Sequence, residues 1–335
     1  MRPFKYISTK DRSLAIKLLS NNPEAKFLAG GTNILDLMKE DVEHPDELID
    51  INGFNPGEIK MISSGLNNGG LSISGFAKNT ATANHQLVRQ NFPMLSQAIL
   101  AGASAQIRNM ASNGGNLLQR TRCSYFYDVA MPCNKRDPGT GCGAFEGINR
   151  MHAIFGWSEK CIAVYPSDMS VALAALEAVV KVQQTNGQER IVPFADFHRL
   201  PGDTPEIDTN LKHGELITAI EIPKNNFAGN SYYLKVRDRA SYAFALVSVA
   251  AGLEMDGKRI LKARIAMGGV SHKPWRAMEA ERMLLGKEAN DENFNMAAEA
   301  EMKLAKPLEH NKFKVELGKR AIVLALQKAM NGNRS

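Results

Sequence analysis

The stretch that decides the fold reads Lys26-Phe27-Leu28-Ala29-Gly30-Gly31-Thr32-Asn33-Ile34. Residues 26–29 have the pattern of a short strand, and residues 34–40 have the pattern of a short helix. Glycines let the backbone between them turn sharply, and free amides at a helix start can bind phosphate. The loop matches neither the Rossmann fingerprint nor the Walker loop. A phosphate-binding loop and a plain tight turn therefore both remain open.

The segments around this loop predict an α+β protein with two domains. Strands at 4–7 and 47–51, with a helix starting near Asp11, complete a βαβ-like unit of about 55 residues. Further strand patterns lie at 60–63, 71–75, 179–183 and 216–222, and helical patterns lie at 82–90, 95–103 and 168–177. The last third predicts strands at 231–236, 245–254 and 260–267, followed by helices at 273–285, 290–303 and 312–330. We place the first domain at 1–223, with subdomains of about 1–56 and 57–223, and the second at 224–335.

A second glycine loop lies about 80 residues after the first. It reads Ala111-Ser112-Asn113-Gly114-Gly115-Asn116, and alone it also fits a plain turn. Two such loops beside helical patterns favour one extended, phosphate-containing cofactor held between two subdomains.

All four cysteines lie in one window of 39 residues, within a segment of little periodicity at 121–161. They are Cys123, Cys133, Cys142 and Cys161. The C-x9-C-x8-C-x18-C spacing lacks the short knuckle typical of structural zinc sites. An iron–sulfur cluster, disulfides, zinc and unpaired thiols all remain open. His152 lies inside the window and is either a further ligand or a packing histidine.

Composition limits the class of protein. The chain has 335 residues, 44% of them hydrophobic, and a net charge of +6. Residues 224–335 carry +8 and residues 1–223 carry −2, but acids are interspersed among the bases, so no nucleic-acid partner is expected. The longest apolar stretch, 243–253, is too short to span a membrane. We expect no signal peptide: a cytoplasmic protein on sequence alone, or a periplasmic one if it is exported together with a signal-bearing partner.

The motifs resemble those of a known family. Residues 26–39 are similar to the first FAD-binding loop of the flavin subunits of molybdenum hydroxylases, the xanthine dehydrogenase and carbon monoxide dehydrogenase medium-subunit family. Residues 111–117 resemble its second FAD loop. Residues 166–168, 214–223, 233–235 and 241–249 resemble later family segments in the same order. The resemblance implies a two-subdomain, PCMH-type FAD-binding domain, followed by a C-terminal domain with a small antiparallel sheet and a three-helix bundle.

The cysteine-bearing insert narrows the resemblance. It is similar to the insert of the FAD subunits of bacterial periplasmic aldehyde oxidoreductases, which carries an extra 4Fe–4S cluster. This implies Cys123, Cys133, Cys142 and Cys161 as the metal ligands. The flavin subunits of 4-hydroxybenzoyl-CoA reductase, with a different cysteine spacing, and of xanthine dehydrogenase are the alternatives.

The resemblance also implies partners and residue roles. A large subunit would hold the molybdenum cofactor and a small subunit two 2Fe–2S clusters, and this chain would pass electrons from FAD to an external acceptor. No catalytic residue is expected in this chain. Ile217 would pack on the flavin ring, Lys235 would lie near the ring or a phosphate, and Asp168 would bind FAD or merely cap its helix. The remaining implied FAD contacts are the two loops, with Lys26, Phe27, Leu28, Ala29, Gly30, Gly31, Thr32, Asn33, Ile34, Ser112, Gly115 and Asn116.

Overall fold

A computed structural model describes residues 1–65 and 67–332; the end of the predicted second domain, 333–335, lies outside the described residues. The chain begins with a small parallel sheet of strand order β1-β3-β2. Asp11 caps the first helix by accepting from the amides of Ser13 and Leu14, which is why the helix starts there. The elements are β1 (Lys5–Ser8), α1 (Arg12–Asn21), β2 (Ala25–Leu28), α2 (Ile34–Lys39) and β3 (Glu47–Asp50).

The second unit is an antiparallel sheet of order β4-β5-β8-β6-β7 with short helices around it. Its buried strand residues and helix α10 share one apolar core, which also contains Ile217. The elements are β4 (Ile59–Met61), β5 (Leu71–Ser74), α3 (Asn79–Asn84), α4 (Gln86–Asn91), α5 (Pro93–Ala101), α6 (Ala105–Met110), α7 (Asn113–Leu117), α8 (Ser124–Tyr127), α9 (Gly143–Glu146), α10 (Asp168–Ala175), β6 (Val179–Gln183), β7 (Glu189–Pro193), α11 (Phe194–Phe197) and β8 (Leu216–Ile222).

The third unit has the predicted antiparallel sheet and three helices. The sheet order is β12-β11-β10-β9, and the helices pack on it to form a separate apolar core. The elements are β9 (Ser231–Val236), β10 (Val247–Asp256), β11 (Arg259–Gly268), β12 (Trp275–Arg276), α12 (Met278–Leu284), α13 (Asp291–Met302) and α14 (Phe313–Asn331). The α+β fold class is confirmed.

Two local predictions were wrong. The helix expected at 273–285 starts only at Met278, because Pro274 disfavours helix in the residue before it and Trp275 pairs with Met267 as an edge strand. The second glycine loop is not a plain loop, since Asn113–Leu117 forms one helical turn capped by Ser112. In the described part of the chain, no helix is both long and apolar enough to cross a membrane.

Candidate functional site

The first glycine loop joins β2 to α2 and presses against the second loop. Gly31 has a φ of 70°, the left-handed conformation that glycine adopts without strain. A Cβ on Gly30 would lie 2.2 Å from the Met110 carbonyl oxygen, so only glycine lets the two backbones approach this closely. The contact brings the amides of both loops to one side of the same cleft.

The second loop is held by its own polar side chains. The Ser112 hydroxyl accepts a hydrogen bond from the Gly115 amide at 3.1 Å. The Asn116 side-chain amide donates to Asn79 at 2.9 Å and accepts from the Ser167 hydroxyl. The loop therefore has a fixed shape and is tied to the start of α10.

Asn33 offers the cleft an unused hydrogen-bond donor. Its side-chain oxygen accepts from the Arg120 amide at 2.8 Å. Its side-chain nitrogen is buried and has no hydrogen-bond partner. Because a buried donor without a partner costs free energy, this atom fits a site completed by a ligand acceptor.

A buried charged cluster closes one end of the cleft. Asp168 accepts from the Tyr233 hydroxyl at 2.5 Å and from the Lys235 ammonium at 2.7 Å. Burial and the negative charge of Asp168 raise the pKa of Tyr233 far above its ordinary value. Ser167, rather than Asp168, caps α10, so the capping interpretation of Asp168 was wrong. Lys235 spends its charge on Asp168 and is not a free cation.

The cleft between the units has a volume of about 1380 Å³, larger than the roughly 300–1000 Å³ typical of small-molecule pockets. Of the predicted FAD contacts, only Leu28 does not border it, because its side chain packs beneath the loop, 3.5 Å from where a Cβ on Gly31 would lie. The predicted residues that border the cleft are Lys26, Phe27, Ala29, Gly30, Gly31, Thr32, Asn33, Ile34, Ser112, Gly115, Asn116, Asp168, Ile217 and Lys235.

The four cysteines converge on one small cavity in the segment after the second loop. Cys133 and Cys142 pair as an antiparallel bridge, which brings these two turns together. Cys123 and Cys161 reach the same cavity from either end of the segment, and none of the four forms a disulfide. The expected convergence of all four side chains is therefore present.

Burial keeps two of these thiols protonated in the absence of a metal. It raises the pKa of Cys123 to about 12 and of Cys161 to about 11. Backbone amides nevertheless point at the sulfurs, as Ala163 does toward Cys161 at 3.5 Å. Within residues 1–65 and 67–332, no group of three or more His, Cys, Asp or Glu side chains is arranged for a metal ion.

The comparisons with known proteins cover nearly the whole chain. The family model described as the FAD binding domain in molybdopterin dehydrogenase matches residues 2–225, and that of the CO dehydrogenase flavoprotein C-terminal domain matches residues 232–330. This chain belongs to the FAD-binding subunits of the molybdopterin dehydrogenase family.

Individual relatives agree with the family assignment. The aldehyde oxidoreductase FAD-binding subunit of Escherichia coli (strain K12) is 47% identical, over 98% of this chain and 99% of its own length. The glyceraldehyde dehydrogenase medium chain of Sulfolobus acidocaldarius is 29% identical, over 92% and 90%. The structure of quinoline 2-oxidoreductase from Pseudomonas putida 86 shares the fold, with a TM-score of 0.75, 24% identity and 98% coverage of both chains.

In this FAD-binding subunit, a buried ion network joins the flavin loops to the cysteine segment. Asp208 accepts from Arg120 at 3.0 Å and from Lys135, and Arg120 also pairs with Glu43. Burial opposes the charge of Asp208, but the cations Lys135 and Arg120 outweigh it and lower its pKa to about 2. Because the Arg120 amide also binds Asn33, one residue touches the first loop, the network and the start of the cysteine segment.

Sequence reasoning missed this network and the Asp168 partner Tyr233. Asp208 lies 73 positions from Lys135 and 88 from Arg120, so no local pattern connects them. His152 was predicted as either a ligand or a packing residue. It is buried, with Nε2 3.1 Å from the Cys123 sulfur. Burial and the nearby charge of Lys314 lower the pKa of His152 to about 4, which keeps the ring neutral.

Proposed function

We propose that this chain is the FAD- and 4Fe–4S-containing electron-transfer subunit of a molybdenum-dependent aldehyde oxidoreductase with three subunits. It would take electrons from the 2Fe–2S clusters of a small subunit and pass them from FAD to an external acceptor. The aldehyde would be oxidised on a large subunit that holds the molybdenum cofactor. The convergence of four cysteines beside the flavin cleft carries the proposal, since the family assignment alone requires only FAD.

The residues of the cleft fit FAD. The amides of residues 29–33 and 112–116 would bind the pyrophosphate, and the buried Asn33 side-chain nitrogen would gain the acceptor that it lacks. Ile217 lies 3.5 Å from where a Cβ on Gly114 would be, so it supports the second loop and presents an apolar surface to the flavin ring. Bound FAD would supply the redox chemistry, while this chain orients it.

The cysteine site fits a four-iron cluster better than a single ion. A four-iron cluster binds one thiolate at each iron, so its four sulfurs lie further apart than ligands that share one ion. The cysteines border one cavity without approaching as a single-ion site would, which is the arrangement a cluster requires. Loading must remove the thiol protons that burial holds, as metal binding to cysteine generally does.

An aldehyde is favoured as the substrate of the complete enzyme by the degree of relatedness. The relative named as an aldehyde oxidoreductase subunit is 47% identical, whereas the putative xanthine dehydrogenase FAD-binding subunit of Escherichia coli (strain K12) is 24% identical. We further propose the domain division at residue 223, which the separate apolar cores on either side support.

The test is the iron content of the full chain purified without oxygen. We expect about four irons per chain together with FAD, and a broad iron–sulfur absorbance beneath the flavin bands. Cys133→Ser should lose the cluster and keep the flavin, whereas Val129→Ser, at an exposed site in the same segment, should keep both. Zinc, or FAD without iron in the unaltered chain, would refute the cluster, and no FAD would refute the flavin role.

A further inference from the structure

His152 lies at the edge of the four-cysteine site without being one of its four thiols. Its Nε2 atom is 3.1 Å from the sulfur of Cys123, and the residue is only 4% exposed. A sulfur hydrogen bond of this length, shielded from water, is a strong local interaction.

The third unit of the fold holds His152 in place. The His152 carbonyl accepts from the Lys314 ammonium at 2.9 Å and from the Asn311 side chain at 3.3 Å. Lys314 lies at the start of α14 and also donates to the Gly269 carbonyl at 2.7 Å. The backbone that carries the imidazole is therefore fixed before any cluster is bound.

The direction of the hydrogen bond follows from the chemistry of a ligand cysteine. A cysteine bound to iron is a thiolate and has no proton to donate. The hydrogen between the two atoms must then lie on Nε2, so the imidazole donates and the sulfur accepts. The other ring nitrogen, Nδ1, is buried without a hydrogen-bond partner.

We propose that His152 is a positioning residue that tunes the cluster through Cys123, donating its Nε2 hydrogen to that sulfur and raising the cluster's reduction potential. Each added electron increases the negative charge shared by the cluster and its thiolates, so a donor stabilises the reduced form more than the oxidised form. The inference rests on the proposed function, because it requires the cluster at these cysteines.

Three variants of the full chain separate the hydrogen bond from packing. His152→Leu removes the donor. His152→Gln places an amide donor near the position of Nε2, whereas the shorter side chain of His152→Asn does not reach the sulfur. His198→Leu is the matched control, since His198 is also buried but binds the Leu117 carbonyl.

The readouts are iron content and the midpoint potential, measured by redox titration of the iron–sulfur spectrum. We expect the Leu and Asn variants to favour the oxidised form about tenfold more at the original midpoint, a shift of about 59 mV to lower potential. The Gln variant and His198→Leu should stay close to the unaltered chain.

The possible results divide cleanly. Equal potentials in the iron-loaded Gln and Asn variants would overturn the role of His152, and this comparison stands even if the Leu variant fails to retain iron. An unaltered chain without iron would instead overturn the proposed function.

Discussion

Replacing Gly30 with alanine tests how closely the two flavin loops must approach. The new methyl carbon would lie 2.2 Å from the Met110 carbonyl oxygen and 2.7 Å from its carbon. Both neighbours are backbone atoms, so no side chain can rotate away. One loop must move by about 1 Å, and overpacking of this kind costs about 1–3 kcal/mol.

The displacement should weaken FAD binding more than it weakens folding. Moving one loop by about 1 Å lengthens hydrogen bonds beyond useful reach, and each such bond contributes about 1 kcal/mol. Losing one to three of them corresponds to about a 5- to 150-fold rise in the FAD dissociation constant.

The assay is titration of the FAD-depleted full chain with FAD, followed by flavin fluorescence. Gly229→Ala is the matched control, because a Cβ on Gly229 would meet no atom within 4 Å. Iron content should be unchanged in both variants. Unaltered FAD affinity in the Gly30 variant would refute the idea that the contact between the loops shapes the cleft.

Three further predictions concern buried charges. Asp208→Asn leaves two cations without their shared anion and should lower the free energy of unfolding in urea by about 3 kcal/mol; a loss below about 1 kcal/mol would contradict the network. Burial lowers the pKa of His198 to about 4, so the unfolded chain binds a proton from pH 6.5 downward while the folded chain does not. Unfolding free energy should therefore fall by about 3 kcal/mol from pH 6.5 to 4, and His198→Gln should flatten that slope. Lys235→Met and Asp168→Asn should each destabilise the chain, and the double variant should cost at least about 1 kcal/mol less than the sum; strict additivity would mean that the pair does not interact.

Local chemistry explains which parts of the site could be predicted. The Gly30–Gly31 turn follows from a strand pattern, two glycines and a helix pattern within one short stretch. The second loop was found in the same way, although its helical turn was not, because that turn depends on the Ser112 cap.

Long-range pairing explains what could not be predicted. Asp168 was placed at the cofactor by resemblance, yet its partner Tyr233 lies 65 positions away and carries no sequence signal. The edge strand at Trp275 formed where a helix was expected, since pairing with Met267 and stacking on Phe155 at 4.8 Å decide its conformation. The convergence of the four cysteines was expected from their clustering, but the contact of His152 with Cys123 became visible only in the fold.

Anaerobic reduction by an aldehyde tests the account most directly. The chain purified with its large and small partners should show bleaching of the flavin and loss of iron–sulfur absorbance when an aldehyde is added. The isolated chain should show neither change. Reduction of the isolated chain by the aldehyde, or a flavin that stays oxidised in the complete enzyme, would contradict an electron-transfer subunit whose substrate is oxidised on another chain.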